Sequence, residues 1–201
     1  MLLIFVKNWI GLFVENNVAS GFVIAAPSSG CGKTLVTLGL LRAFKNKGIA
    51  VGSFKVGPDY IDPTFHTAAS STTCHNLDFW AMRQETLFEA SAGILANNDM
   101  AIAEGVMGLF DGAIVNKSEN SGSTADAAKW LGWPVVLVVN VKGIGASVAA
   151  LIRGFCKHRS DISIAGVILN SVNSTRHEQI LRDAVSEINI PCLGCIQQDN
   201  K

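Results

Sequence analysis

An excess of charge of either sign is missing from this sequence: sixteen Lys and Arg balance sixteen Asp and Glu over 201 residues. Without a net field, nothing draws the chain towards nucleic acid or an anionic membrane surface, so specificity has to come from local sites. Cysteine is sparse too. Cys31, Cys74, Cys156, Cys192 and Cys195 form an odd set without disulfide-framework spacing, which excludes a stapled secreted fold and fits a reducing cytoplasm. No Cys or His array has metal-ligand spacing. The one C-x-x-C pair, Cys192 with Cys195, lies inside the apolar run "IPCLGCI" and not at a strand-to-helix turn, so it reads as strand packing. Internal repeats, low-complexity tracts and linkers are likewise missing. So is a membrane-length apolar run. The opening "MLLIFVKNWIGLFVENNV" has no basic start and no small-residue cleavage site, and Lys7 and Glu15 interrupt it well short of the roughly 20 residues a span requires. Residues 1–20 are therefore expected to be neither signal peptide nor membrane helix. An extra strand or helix, a membrane-surface segment and a misassigned start codon stay open for them.

What the chain does have is apolar content, 49% hydrophobic, enough to bury one core; residues 21–201 are expected to form one domain. Short apolar runs at 22–26, 50–54, 100–103, 135–139, 162–169 and, more weakly, 190–196 lack strict alternation, as strands covered on both faces do. Between them lie helix candidates at 34–47, 84–97, 124–131, 146–157 and 176–188. Strand and helix in alternation predict an α/β fold, a doubly wound, mostly parallel sheet with helices on both faces. Ligands of such a sheet sit beyond the carboxyl ends of the strands, where every polar motif of this chain falls. The stretch 56–83 reads as an unusually long, and hence functional, loop.

After the first strand, "PSSGCGKT" runs into a helix, the context that a phosphate-binding G-x-x-x-x-G-K-[ST] loop requires, although Pro27 replaces the first glycine. Gly30 and Gly32 permit successive N–H groups to turn inwards, and the helix amino end adds its positive dipole. Lys33 is expected to contact the β- and γ-phosphates of ATP and Thr34 to offer its hydroxyl to Mg2+, so Ser29, Gly30, Cys31, Gly32, Lys33 and Thr34 are the candidate nucleotide ligands of a P-loop NTPase-type domain. Ser28 stands where partitioning-type ATPase switches carry a second lysine, which weakens that alternative.

The third strand ends in "AIAEG", which puts Glu104 at the sheet's carboxyl edge as a magnesium candidate, with Asp111 in the loop that follows. The second strand leads into "FKVGPDYIDPTFH". Lys55 is expected to face the nucleotide, and Asp59 and Asp62 to lie on a loop stiffened by Pro58 and Pro63, which holds acids in place before a ligand arrives. The alternative for these acids is an ordinary surface turn. His66 and His75 read as polar loop residues.

These stretches together, "APSSGCGKT", "KVGPDYIDPTFH", "NLDFW" and "EGVMGLFDG", closely resemble the amino-terminal ATP-binding domain of the cobyrinate or hydrogenobyrinate a,c-diamide synthases, from about residue 21 onwards. The resemblance implies a dethiobiotin synthetase-like P-loop fold. It also implies an amide ligase of cobalamin biosynthesis that uses ATP and Mg2+ to activate the a and c carboxylates of a corrinoid as acyl phosphates, which ammonia then displaces. On that pattern Lys33, Lys55, Asp59, Asp62 and Asp111 would be catalytic, Thr34, Glu104 and Asp59 would hold the metal, and Tyr60 and Ile61 would meet the substrate. Asn170 in "GVILNSV" would pair with the adenine edge, its amide offering donor and acceptor together; a turn or capping asparagine is the alternative. Asn140 and Lys142 depart from the family's aspartate and arginine region, and Cys31 stands where serine is frequent. The family continues into a glutaminase domain whose motif no cysteine here matches, so this polypeptide is expected to need ammonia or a separate glutaminase. A homodimer, and a nucleotide-binding remnant without catalysis, stay open.

Overall fold

The computed structural model describes residues 20–113 and 121–198. The expected extension at 1–20 therefore lies almost wholly outside the described residues. Among those described, seven parallel strands form one sheet in the order β3-β2-β4-β1-β5-β6-β7. In chain order these are β1 Ser20–Ala25, α1 Lys33–Asn46, β2 Val51–Val56, α2 Asp62–Ser70, β3 His75–Leu77, α3 Gln84–Ala96, β4 Met100–Glu104, α4 Thr124–Leu131, β5 Val135–Asn140, α5 Val148–His158, β6 Ile164–Val172, α6 Thr175–Ser186 and β7 Cys192–Gln197.

The sheet is buried on both faces. Successive residues of β1 alternate between two cores: Val23 and Ala25 pack with α3, α4, α5 and α6, whereas Phe22 and Ile24 pack with α1 and α2. This two-residue period is the geometry of a strand, and burial on both sides is why the strands read as unbroken apolar runs. None of the helices described is long and apolar enough to cross a membrane.

The stretch 56–83 corrects one expectation. It is not a single loop, because α2 and β3 lie within it. Pro63 sits in the first turn of α2, where a missing N–H is harmless, and the fixed φ favours the helix. Asp59 Oδ1 accepts from the N–H groups of Ile61 (2.8 Å) and Asp62 (2.9 Å), which serves the amino end of that helix. Asp62 and His66 are therefore residues of one helix four positions apart, on one face, and not residues of a surface loop.

Candidate active site

Strand register assembles the site. Lys55 of β2 and Glu104 of β4 are paired positions, and Ile24, near the end of β1, pairs with Glu104 from the other side. Two strand residues side by side point to the same face, here the one covered by α1 and α2. Lys55 Nζ consequently lies 3.1 Å from Glu104 Oε1, 2.7 Å from Asp62 Oδ2 and 3.9 Å from Asp59 Oδ2. Thr34, in the first turn of α1, donates its hydroxyl to Glu104 Oε1 at 2.5 Å and stands 3.4 Å from Asp62 Oδ2.

The loop before α1 has the expected shape. Gly30 and Gly32 have φ of 77° and 96°, the left-handed region that glycine adopts without a Cβ penalty. A Cβ on Gly32 would stand 2.4 Å from Asn170 Nδ2. Among the described residues no side chain caps α1, and no acid occupies its first turn, so its leading N–H groups can meet an anion. Ser29 is exposed, and Cys31 is buried with its carbonyl turned to Asn170. Lys33 Nζ donates to the carbonyl of Met107 at 2.5 Å, and Met107 itself has a left-handed φ of 49°. Burial and the neighbouring Lys55 charge weaken the hold of Lys33 on its proton.

Glu104 is completely buried, yet ionised. Burial alone would raise its proton affinity, but the hydrogen bond from His66, the charge of Lys55 and the Thr34 hydroxyl outweigh that and hold the carboxyl below its ordinary value. Lys55 is shifted the other way. Burial opposes its charge, and the Glu104 and Asp62 carboxylates more than restore it.

His66 is the residue that sequence reasoning missed. It is fully buried, with Nε2 2.6 Å from Glu104 Oε2 and Nδ1 3.4 Å from Cys74 Sγ. An ionised carboxylate only accepts, so Nε2 carries a proton and donates it to Glu104. Burial pushes the Cys74 thiol beside Nδ1 up to about 11 and keeps it protonated. Recognising Pro63 as a helix start would have put His66 one turn beyond Asp62, beside the site and not in solvent.

The remaining candidates sit at the rim. Asp59 is partly buried and organises the amino end of α2, its carboxyl held below its ordinary value by backbone N–H groups and Lys55 despite some burial. Asp111 is exposed and accepts the Gly108 N–H at 2.8 Å, a contact within its own turn. Tyr60 and Ile61 are exposed, and Phe65, Trp80 and Met107 join them on segments that follow β2, β3 and β4. Asn170 donates from Nδ2 to the Cys31 carbonyl (2.9 Å) and accepts the Ser171 N–H on Oδ1 (2.9 Å), so its amide braces the phosphate loop. Asn140, its neighbour in register, accepts from the Lys142 N–H at 3.0 Å. Among the described residues no cluster of three or more His, Cys, Asp or Glu is arranged to hold a metal.

A parallel α/β sheet with a glycine loop and a Lys-Thr helix start beyond its central strand defines a nucleotide-binding domain of the P-loop NTPase class. Solved structures agree on the fold. Hydrogenase maturation factor HypB from Archaeoglobus fulgidus matches with a TM-score of 0.53 and 14% identity over 90% of this chain and 81% of that one. Chloroplast FtsY from Physcomitrella patens matches with a TM-score of 0.59 and 18% identity over 92% of this chain and 64% of the other. The chain belongs to the CobQ/CobB/MinD/ParA nucleotide binding domain family, whose model matches residues 22–201. Among its relatives, the hydrogenobyrinate a,c-diamide synthase of Rhizobium meliloti (strain 1021) is 51% identical over 180 residues, 90% of this chain and 41% of that protein. The enzyme of the same name from Rhodobacter capsulatus is 49% identical over 176 residues, 88% of this chain and 40% of its own. The chain thus spans about two fifths of the length of these curated relatives.

Proposed function

We propose that this chain is the ATP-dependent synthetase part of a hydrogenobyrinate a,c-diamide synthase, which converts two side-chain carboxylates of a corrinoid into amides. The observation that carries this reading is the 51% identity over 180 residues to a relative of that name. The ionic cluster around Lys55 supports it chemically. A carboxylate is a poor acyl donor, because its leaving group would be oxide. In the first step its oxygen attacks the γ-phosphorus of ATP and ADP leaves, giving an acyl phosphate. Ammonia then attacks the acyl carbon, and phosphate departs.

Two anions have to meet in the first step, and Lys33, Lys55 and the loop N–H groups would offset their repulsion and stabilise the charge on the transferring group. Magnesium is held by one or two protein oxygen ligands plus substrate phosphates, so a site formed by the Thr34 hydroxyl and the Glu104 carboxylate, with Asp59 nearby, fits it and would supply further positive charge at the phosphates. Asp59, Asp62 and Asp111 would hold ammonium and take its proton. Tyr60 and Ile61, exposed beside Asp59, would lie against the macrocycle.

The test is mass spectrometry of hydrogenobyrinate incubated with the protein, Mg-ATP and ammonium. The expected result is the gain of two amide groups. ATP hydrolysis without amidation would mark a nucleotide switch, and neither reaction a remnant; each would overturn the proposal. Lys33→Ala is expected to lower turnover about 100-fold or more, whereas Asp59→Ala keeps ATP binding and loses amidation. Normal amidation by both variants would refute the assignment of roles.

A further inference from the structure

The C-x-x-C pair of β7 is placed in a way its spacing does not suggest. In a regular strand residues three apart point to opposite faces and lie about 10 Å apart. Here Val167 pairs with Cys192 and Ile168 with Gly194, so Leu193 is an extra residue, a β-bulge. The bulge resets the alternation. Cys192 and Cys195 both pack into the core under α6, while Leu193 and Ile196 face the core under α1. It also shortens the pair: Cys192 and Cys195 align with Val167 and Leu169 of β6, two residues apart, or about 6.6 Å along the strand. That lies within the Cα separation that a disulfide spans, roughly 4.4–6.8 Å. The two sulfurs stand 3.9 Å apart.

From this geometry we propose that Cys192 and Cys195 are a modification site, a dithiol that closes reversibly into a disulfide by exchange with an oxidised low-molecular-weight disulfide of the glutathione type. Cys192 is the attacking sulfur. It is partly exposed at the sheet edge, and Arg182 of α6 points Nη1 at its Sγ from 3.6 Å. The hydrogen bond with Cys195 and the Arg182 charge outweigh burial and bring its thiol down to about 7. Cys195 is buried, and the Cys192 thiolate beside it keeps its own proton bound. The Cys192 thiolate attacks one sulfur of the small disulfide and releases one small thiolate, leaving a mixed disulfide. That exchange removes the negative charge from Cys192. Cys195 then loses its proton to water and attacks Cys192 Sγ, releasing the second small thiol. Two protein thiols are oxidised and one small disulfide is reduced to two thiols. Excess reduced thiol reverses both exchanges.

The experiment treats the full chain with glutathione disulfide and maps its peptides under non-reducing conditions. A 192–195 linkage lost on adding reduced glutathione is expected, with Cys31, Cys74 and Cys156 left as thiols. Cys195→Ser is expected to trap one glutathione on Cys192, and Cys192→Ser to leave Cys195 unmodified. Iodoacetamide at pH 7 should alkylate Cys192 at least about tenfold faster than Cys156 in the untreated protein, a readout that needs no variant. Arg182→Ala should narrow that ratio. Linkage through any other cysteine, a stable mixed disulfide on the unsubstituted chain, or equal alkylation of Cys192 and Cys156 would overturn the proposal.

Discussion

At the scale of single residues, His66 shows how one buried ring holds a buried acid in place. Glu104 presents one oxygen to Thr34 and Lys55 and the other to His66, so the ring fixes which lone pairs face the phosphate side. His66→Ala would leave Oε2 buried without a partner and open a cavity, at a cost of about 3 kcal/mol or more in unfolding free energy. His66→Gln retains a donor of similar reach and is expected to recover part of the loss. Urea denaturation of the two variants checks this, and equal stabilities would show that the hydrogen bond does not matter. Pro63 in "DPTFH" marks a helix start that puts His66 one turn beyond Asp62, but the string does not name Glu104 as its partner. Its role exists only because α2 leans over the ends of β2 and β4.

At the scale of elements, the loop after β4 is held from two sides. Gly108 comes so close to the phosphate loop that a Cβ there would stand 2.6 Å from the Pro27 carbonyl. From below, the Thr124 hydroxyl at the start of α4 accepts the Val106 N–H and donates to the Val106 carbonyl, both at 3.0 Å. The neighbouring Ser123 and Asp126 form a capping box that starts the helix. These two adjacent residues separate support of the site from support of the helix. Thr124→Val keeps the shape and leaves both Val106 groups unpaired, which should cost about 1–3 kcal/mol and weaken nucleotide binding several-fold, because the same loop carries the carbonyl that receives Lys33. Ser123→Ala should cost about 1 kcal/mol and leave nucleotide affinity unchanged. Calorimetric titration with ATP beside thermal unfolding distinguishes the two. Equal loss of affinity in both would mean that α4, and not the Thr124 contact, positions the loop.

At the scale of the whole molecule, stability is tied to buried and hydrogen-bonded acids. Despite desolvation, Glu104 is held below its ordinary 4.5 by His66, Lys55 and Thr34, and Asp126 below 3.8 by Arg159, Ser121 and Ser123. Asp59 is depressed as well. Each binds its proton more weakly folded than unfolded, so its contribution is complete above the ordinary value and is lost as pH falls through the lowered one. The urea midpoint is therefore expected to hold steady above about pH 5 and to fall progressively below about pH 4.5. Glu104→Gln should flatten the fall. An unchanged slope would show that the cluster is not what acid attacks.

The sequence by itself determined six of the seven strands described, because strands buried on both faces must be apolar throughout and the helices between them must carry one apolar side; β3, three residues long, was not legible. It determined the phosphate loop too, since glycine, lysine and threonine at that spacing encode backbone freedom, charge and a hydroxyl locally. Even the start of α4 at Thr124 was legible, although its cap, Ser123, came only from the structure. Only the tertiary structure decided what Lys55, Asp62, His66 and Glu104 do, because strand register and the lean of α2 unite residues up to 49 positions apart. The same holds for Asn170, which reaches the Cys31 carbonyl across 139 residues. The bulge that turns Cys192 and Cys195 to one face belongs to this class as well, for a break in register is a property of two strands and is written in neither.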